Sequence, residues 1–74
     1  MKILFFGRLA DSLGRELELD VPETGCTVAE LRGRLAGAVS SPGVRACIDR
    51  VIVADSARVL PHHEVAFVPP LSGG

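Results

Sequence analysis

The sequence predicts an α+β domain in which a mixed sheet of four or five strands is covered on one face by a single main helix. Three observations predict it. An apolar run opens the chain, a second stretch alternates apolar and charged side chains, and one strongly marked helix start precedes two further β-branched runs. With 74 residues there is room for one such domain, without repeats, low-complexity stretches or an internal linker.

Residues 2–6, Lys-Ile-Leu-Phe-Phe, have strand length and the continuous apolar character of a central strand with both faces covered. Gly7 ends the run. Arg15 to Val21 alternates, with Leu17, Leu19 and Val21 on one face and Glu16, Glu18 and Asp20 on the other; this is a half-buried strand stopped by Pro22. The two strands pair through residues 7–14, where Leu9-Ala10-Asp11-Ser12-Leu13 makes a turn of helix ended by Gly14.

Thr27-Val28-Ala29-Glu30 has the form of a capping box. The Thr hydroxyl accepts from the Glu30 amide while the Glu carboxylate reaches back to the Thr27 amide. Val28, Leu31, Leu35 and Ala38 then form one apolar stripe at helical spacing, with Arg32 and Arg34 left to water. Gly33 costs about 1 kcal/mol of helix propensity relative to Ala, and Gly37 or the Ser40-Ser41-Pro42-Gly43 cluster ends the helix.

Residues 46–55 admit two readings, one long strand or a small hairpin of 46–48 and 51–54 turning at Asp49-Arg50. The hairpin is favoured, because two short β-branched runs flank a polar pair suited to a tight turn. Glu64 to Val68 is the last strand, and Pro69-Pro70 cannot continue it without an N–H to donate. The domain therefore spans 1–68 and an extended tail spans 69–74.

One helix covers one face. Alternation sends Ile3, Phe5, Leu17, Leu19, Val51, Val53, Val65 and Phe67 toward it and leaves Leu4, Phe6, Ile52, Ala66 and Val68 on the other side. The second group is a contiguous apolar surface of the kind that marks a protein interface. The composition agrees with such a surplus: 47% of residues are hydrophobic, more than a core this small readily absorbs.

Composition also excludes function classes. Eight basic and nine acidic residues give a net charge of −1, no basic stripe forms, and three phenylalanines are the only aromatics, so nucleic acid is not an expected partner. The apolar run after Lys2 is too short for a signal peptide or a membrane span, and a cytoplasmic, soluble chain is expected. Cys26 and Cys47 lack metal-ligand spacing. A disulfide between them is left open by the sequence, and the reading adopted is two reduced, mostly buried small hydrophobes.

The chemical feature is the end of the chain, Pro69-Pro70-Leu71-Ser72-Gly73-Gly74. Two prolines favour an extended exit, and six residues reach on the order of 20 Å. Gly73 and Gly74 have no Cβ and fit a narrow channel. The Gly74 carboxylate is a serviceable nucleophile toward the α-phosphate of ATP, and the resulting acyl-adenylate accepts sulfur or an amine. A frayed terminus is the ordinary fate of two glycines; the stiff spacer before them favours the chemical reading.

The whole chain resembles the small subunit of molybdopterin synthase, within the ubiquitin-like β-grasp sulfur carriers. The most specific match is Glu64-Val-Ala-Phe-Val-Pro-Pro-Leu-Ser-Gly-Gly74 against the family's Asp-Glu-Val-Ala-Phe-x-Pro-Pro-Val-Ser-Gly-Gly ending; Ile3-Leu4-Phe5-Phe6 with Gly7, Leu13-Gly14 and Thr27-Val28 with Leu31 support it. The resemblance implies that Gly74 is adenylated by an E1-like enzyme using ATP, converted to a thiocarboxylate, and delivered into the large synthase subunit to make the dithiolene of molybdopterin. It implies a heterotetramer, an interface at Phe6, Ile52 and Val68, a tail (Pro69 to Gly74) entering the partner's active site, and no catalysis, metal or bound cofactor in this chain. The chain departs from the family pattern at Pro61-His62-His63, which replaces Asp-Gly-Asp, and at Asp49 and Ala10, where Asn and a basic residue are usual.

Other residues have plainer readings. His62-His63 suit an exposed turn better than a metal site, Cys26 at the helix start suits packing better than sulfur relay, and Glu64 suits a solvated strand end better than orientation of the tail. Arg8, Arg32 and Arg34 either meet an acidic partner or are simply solvated. Besides the synthase subunit, the tail also suits a protein modifier that forms isopeptide bonds, or a carrier for thiamine or thionucleoside synthesis. An interaction module without covalent chemistry is disfavoured by the tail.

Overall fold

The computed structural model describes residues 1–35 and 37–70. Strand β1 (Lys2–Phe5) is followed by α1 (Arg8–Leu13), β2 (Glu16–Glu18), β3 (Cys26–Thr27), α2 (Val28–Arg34), a 3-10 turn (Gly37–Ser40), β4 (Arg45–Ile48), β5 (Val51–Val53), β6 (Arg58–Val59) and β7 (Val65–Val68). Five strands form one sheet in the order β2-β1-β7-β4-β5. The β1–β7 pair is parallel and the others antiparallel, so the sheet is mixed as expected.

Helix α2 starts where the capping box places it. Thr27 Oγ1 accepts from the Glu30 amide at 3.1 Å and Glu30 Oε1 accepts from the Thr27 amide at 2.9 Å. The amides of Val28 and Ala29 donate to the carbonyls of Ala57 and Asp55, both at 3.0 Å, so the helix start leaves none of these donors unmade. The helix ends earlier than the apolar stripe suggests: Leu35 is already extended, and Ala38 reaches the core from the 3-10 turn. Gly33 and Gly37, both poor helix formers, bracket the break.

The hairpin reading of 46–54 is the correct one. Asp49 and Arg50 take φ of 49° and 72°, the two positive values of a primed two-residue turn, and Ile48 pairs with Val51. Strand β2 is shorter than the Arg15–Val21 alternation: it covers Glu16–Glu18, and the Leu19 amide beyond it donates to the Met1 carbonyl at 2.9 Å. The β3–β6 ribbon was not anticipated, since two-residue strands carry no readable periodicity.

The core lies between α2 and the sheet. Ile3, Phe5, Val65 and Phe67 from the two middle strands meet Val28 and Leu31 from the helix, and the Phe5 and Phe67 rings stack at 6.2 Å. Leu19 and Val53 pack against this core as expected, but Leu17 and Val51 do not: they are 40% and 63% exposed. Both face the helix side, opposite Ile3 and Ile48, yet both sit on edge strands. Five strands spaced ~4.8 Å apart span roughly 19 Å, whereas seven helical residues run only about 10 Å, so the helix cannot shelter both edges. The apolar β1 has its second face open, which corrects the expectation of a strand covered on both sides.

Arg32 is a further correction. Its side chain is 14% exposed instead of solvated, donating to the carbonyls of Val39 and Val44 and to Asp55. Arg34 stays exposed and donates to the Asp20 carbonyl at 2.8 Å.

Candidate functional site

The open sheet face is ordered by register. Leu4, Ala66, Cys47 and Ile52 form one row across β1, β7, β4 and β5. The next row toward the chain end holds Val68 and its partner Arg45, with Phe6 one step beyond the Phe5–Phe67 pair; the Phe6 amide donates to the Phe67 carbonyl at 3.2 Å. Phe6 and Ile52 are 49% and 56% exposed, so this face carries large apolar side chains open to solvent.

Leu4, Phe6, Ile52, Ala66 and Val68 thus lie where alternation assigned them. Two members of the face were missed. Cys47, expected to be buried, stands partly exposed between Ala66 and Ile52, and Arg45 brings a cation beside Val68. The hairpin turn contained the signal, because a two-residue turn at 49–50 pairs 47 with 52 and so puts Cys47 on the face of Ile52. Cys26 is buried beside the helix start, and both thiols are free.

The tail leaves at the Val68 end of this face. Gly43, Arg45, Ile52, Val68, Pro69 and Pro70 line one shallow groove, so the first tail residues are continuous with the open surface. Pro69 is half-buried and Pro70 exposed. Leu71, Ser72, Gly73 and Gly74, including the expected point of sulfur attachment, lie outside the described residues.

The remaining candidates are elsewhere. Glu64 is exposed at the opposite end of β7, where its amide donates to Asp49 Oδ1 at 2.9 Å, so it does not orient the tail. His62 and His63 occupy a turn; His63 Nδ1 accepts from the Leu60 amide at 2.9 Å. Among the described residues no group of His, Cys, Asp or Glu is arranged to hold a metal ion, and no helix is long and apolar enough to cross a membrane.

Glu30, at the start of α2, lies away from this face. The Glu30 carboxyl is held below its ordinary value by the Thr27 backbone N–H and then by the Thr27 hydroxyl. It serves the helix cap.

Residues 3–74 match the model of the ThiS family. The chain belongs to the ThiS family. Membership makes it a small ubiquitin-like carrier that works with partner enzymes and is not itself a catalytic enzyme. The fold is the β-grasp that the resemblance implied. SAMP1 from Haloferax volcanii superposes with a TM-score of 0.79 at 24% identity, covering 99% of this chain and 97% of that one. A second structure, the H. volcanii small archaeal modifier protein 1, gives a TM-score of 0.78 at 21% identity over 95% of each chain. No curated protein matches the chain.

Proposed function

We propose that this ThiS-family chain is a sulfur carrier and the small, non-catalytic subunit of molybdopterin synthase. The observation that carries the reading is the junction of tail and face: the Pro-Pro-Leu-Ser-Gly-Gly ending departs beside Val68, on the side of the sheet that bears Phe6 and Ile52. A partner seated on that face receives the tail in one motion. Phe6, Ile52 and Val68 are the anchors, whose apolar surface the partner removes from water.

In this reading the Gly74 carboxylate attacks the α-phosphorus of ATP on an E1-like enzyme, and pyrophosphate leaves. A hydrosulfide-level donor then displaces AMP from the acyl-adenylate, which leaves a thiocarboxylate. Within the large subunit that sulfur bonds to a carbon of cyclic pyranopterin monophosphate as a carbon–oxygen bond there breaks and the oxygen leaves on phosphate or as water; hydrolysis of the acyl link restores the carboxylate, and a second carrier supplies the second sulfur. The chain binds no cofactor itself; ATP belongs to the activating enzyme. A heterotetramer of two large and two small subunits in the cytoplasm completes the proposal.

The test is intact-mass measurement after incubation with an activating enzyme, ATP and a sulfur source. Replacement of one oxygen by sulfur at Gly74, lost on deletion of that residue, is expected together with copurification of a larger pterin-handling subunit. Absence of the thio form overturns the reading. A second reading, a modifier joined to lysines, draws on the modifier proteins with the same fold; it predicts lysine conjugates that vanish when Gly74 is deleted.

A further inference from the structure

Two glycines distant in sequence flank the start of the tail. Gly7, at φ 57°, joins β1 to α1, and Gly43, at φ 85°, precedes β4. Each presents bare backbone to one proline. A Cβ on Gly7 would stand 2.8 Å from Pro69 Cγ, and a Cβ on Gly43 would stand 2.8 Å from Pro70 Cβ and 3.2 Å from its Cγ. Side chains do not approach that closely, so both positions are open only because they are glycine, and their positive φ excludes most other residues independently.

Both walls are anchored to the core. Next to Gly7, the Ala10 amide donates to the Gly7 carbonyl at 3.0 Å and Leu9 is buried. Next to Gly43, Val44 is buried, its amide donates to Ser41 at 3.1 Å, and its carbonyl accepts from Arg32 at 2.9 Å. The prolines have no N–H with which to bind the sheet, so ring packing takes a larger share in fixing their direction.

We propose that Gly7 and Gly43 form a seat for Pro69 and Pro70 that sets the exit direction of the tail in the free carrier. The proposal rests on the carrier reading and deepens it: the open face supplies affinity, and the seat aims the carboxylate. Docking and aiming are then separable. A carrier with a damaged seat binds its activating enzyme normally but presents the carboxylate correctly for a smaller fraction of the time, which lowers turnover at saturation.

The full-length chain tests this in two measurements. In the free protein, nuclear Overhauser contacts are expected from the Gly43 α-protons to the Pro70 ring and from the Gly7 α-protons to the Pro69 ring; their absence overturns the seat. In ATP–pyrophosphate exchange with the activating enzyme, Gly43→Ala and Pro70→Gly are expected to lower kcat about fivefold or more while KM for the carrier stays within about twofold. Pro70→Gly leaves both glycines intact, so a folding defect at Gly43 does not decide the outcome. Gly33→Ala, with open space around its new methyl, serves as the unchanged control. Wild-type kcat in both seat variants, or a raised KM with kcat unchanged, overturns the proposal. Failure of the wild-type chain to support exchange overturns the carrier reading instead, and the proton contacts still decide the seat.

Discussion

The Arg32 guanidinium lies 5.5 Å from the centroid of the Phe67 ring, so a cation from the helix covers the largest buried side chain of the central strand. The same group donates to the carbonyls of Val39 and Val44 and, through Nε, to Asp55 Oδ1 at 3.1 Å. One side chain therefore ties α2 to β7, to the turn before β5 gives way to β6, and to the segment that carries Gly43.

Replacing Arg32 by Ala leaves two backbone carbonyls without their donor and uncovers the ring. We expect a loss of about 2–4 kcal/mol. Arg32→Lys recovers less than half of it, because an ammonium cannot fork between two carbonyls and lie flat on a ring. Urea-denaturation midpoints of the three proteins check both statements.

Thr27→Ala removes the acceptor of the Glu30 amide and is expected to cost about 1 kcal/mol. The pH dependence follows from Glu30, whose carboxyl is held below 4.5 by Thr27. A carboxyl with a lowered folded value favours the folded state while ionised, so its contribution is complete above 4.5 and fades as pH falls through the lower folded value. Glu30→Gln should flatten that part of the melting-temperature profile in acid while changing little of its slope near neutrality.

Gly33→Ala should stabilise the protein. The position is helical, exposed and free of neighbours within 4 Å of a new Cβ. A gain of about 0.5–1 kcal/mol is expected from helix propensity and a less flexible unfolded chain, measurable as a rise in melting temperature.

Phe6→Ser and Ile52→Ser separate stability from docking. Both side chains are about half exposed in the isolated chain, so unfolding free energy should move by no more than about 0.5 kcal/mol. If the proposed synthase reading holds, calorimetric titration against the large synthase subunit should show each weakening binding by about tenfold or more. Unchanged affinity in both variants would place the interface elsewhere.

Much of this architecture is legible in local chemistry. Thr27 and Glu30 announce the helix start three residues apart, Asp49-Arg50 announces the hairpin, and Pro69-Pro70 announces the end of the sheet. Each signal is complete within a few residues, so the chain states it without knowing its neighbours. The open face is nearly as legible, because alternation in β1 and β7 is a local property and one helix was available to cover one side.

The misread residues share a different physics. Leu17 and Val51 have the correct facing but lie beyond the helix, and coverage is set by the width of the sheet relative to the helix. Arg32 has the helical phase of a solvated residue, yet it folds inward because the carbonyls of Val39 and Val44 and the Phe67 ring are brought around it. By itself the sequence determined the main elements, their order and the open apolar face. Tertiary structure alone decided how far the helix shelters the sheet, that Arg32 folds inward, and that Gly7 and Gly43 meet the two prolines. Those outcomes depend on contacts between distant segments, and a contact of that kind exists only after the chain has closed on itself.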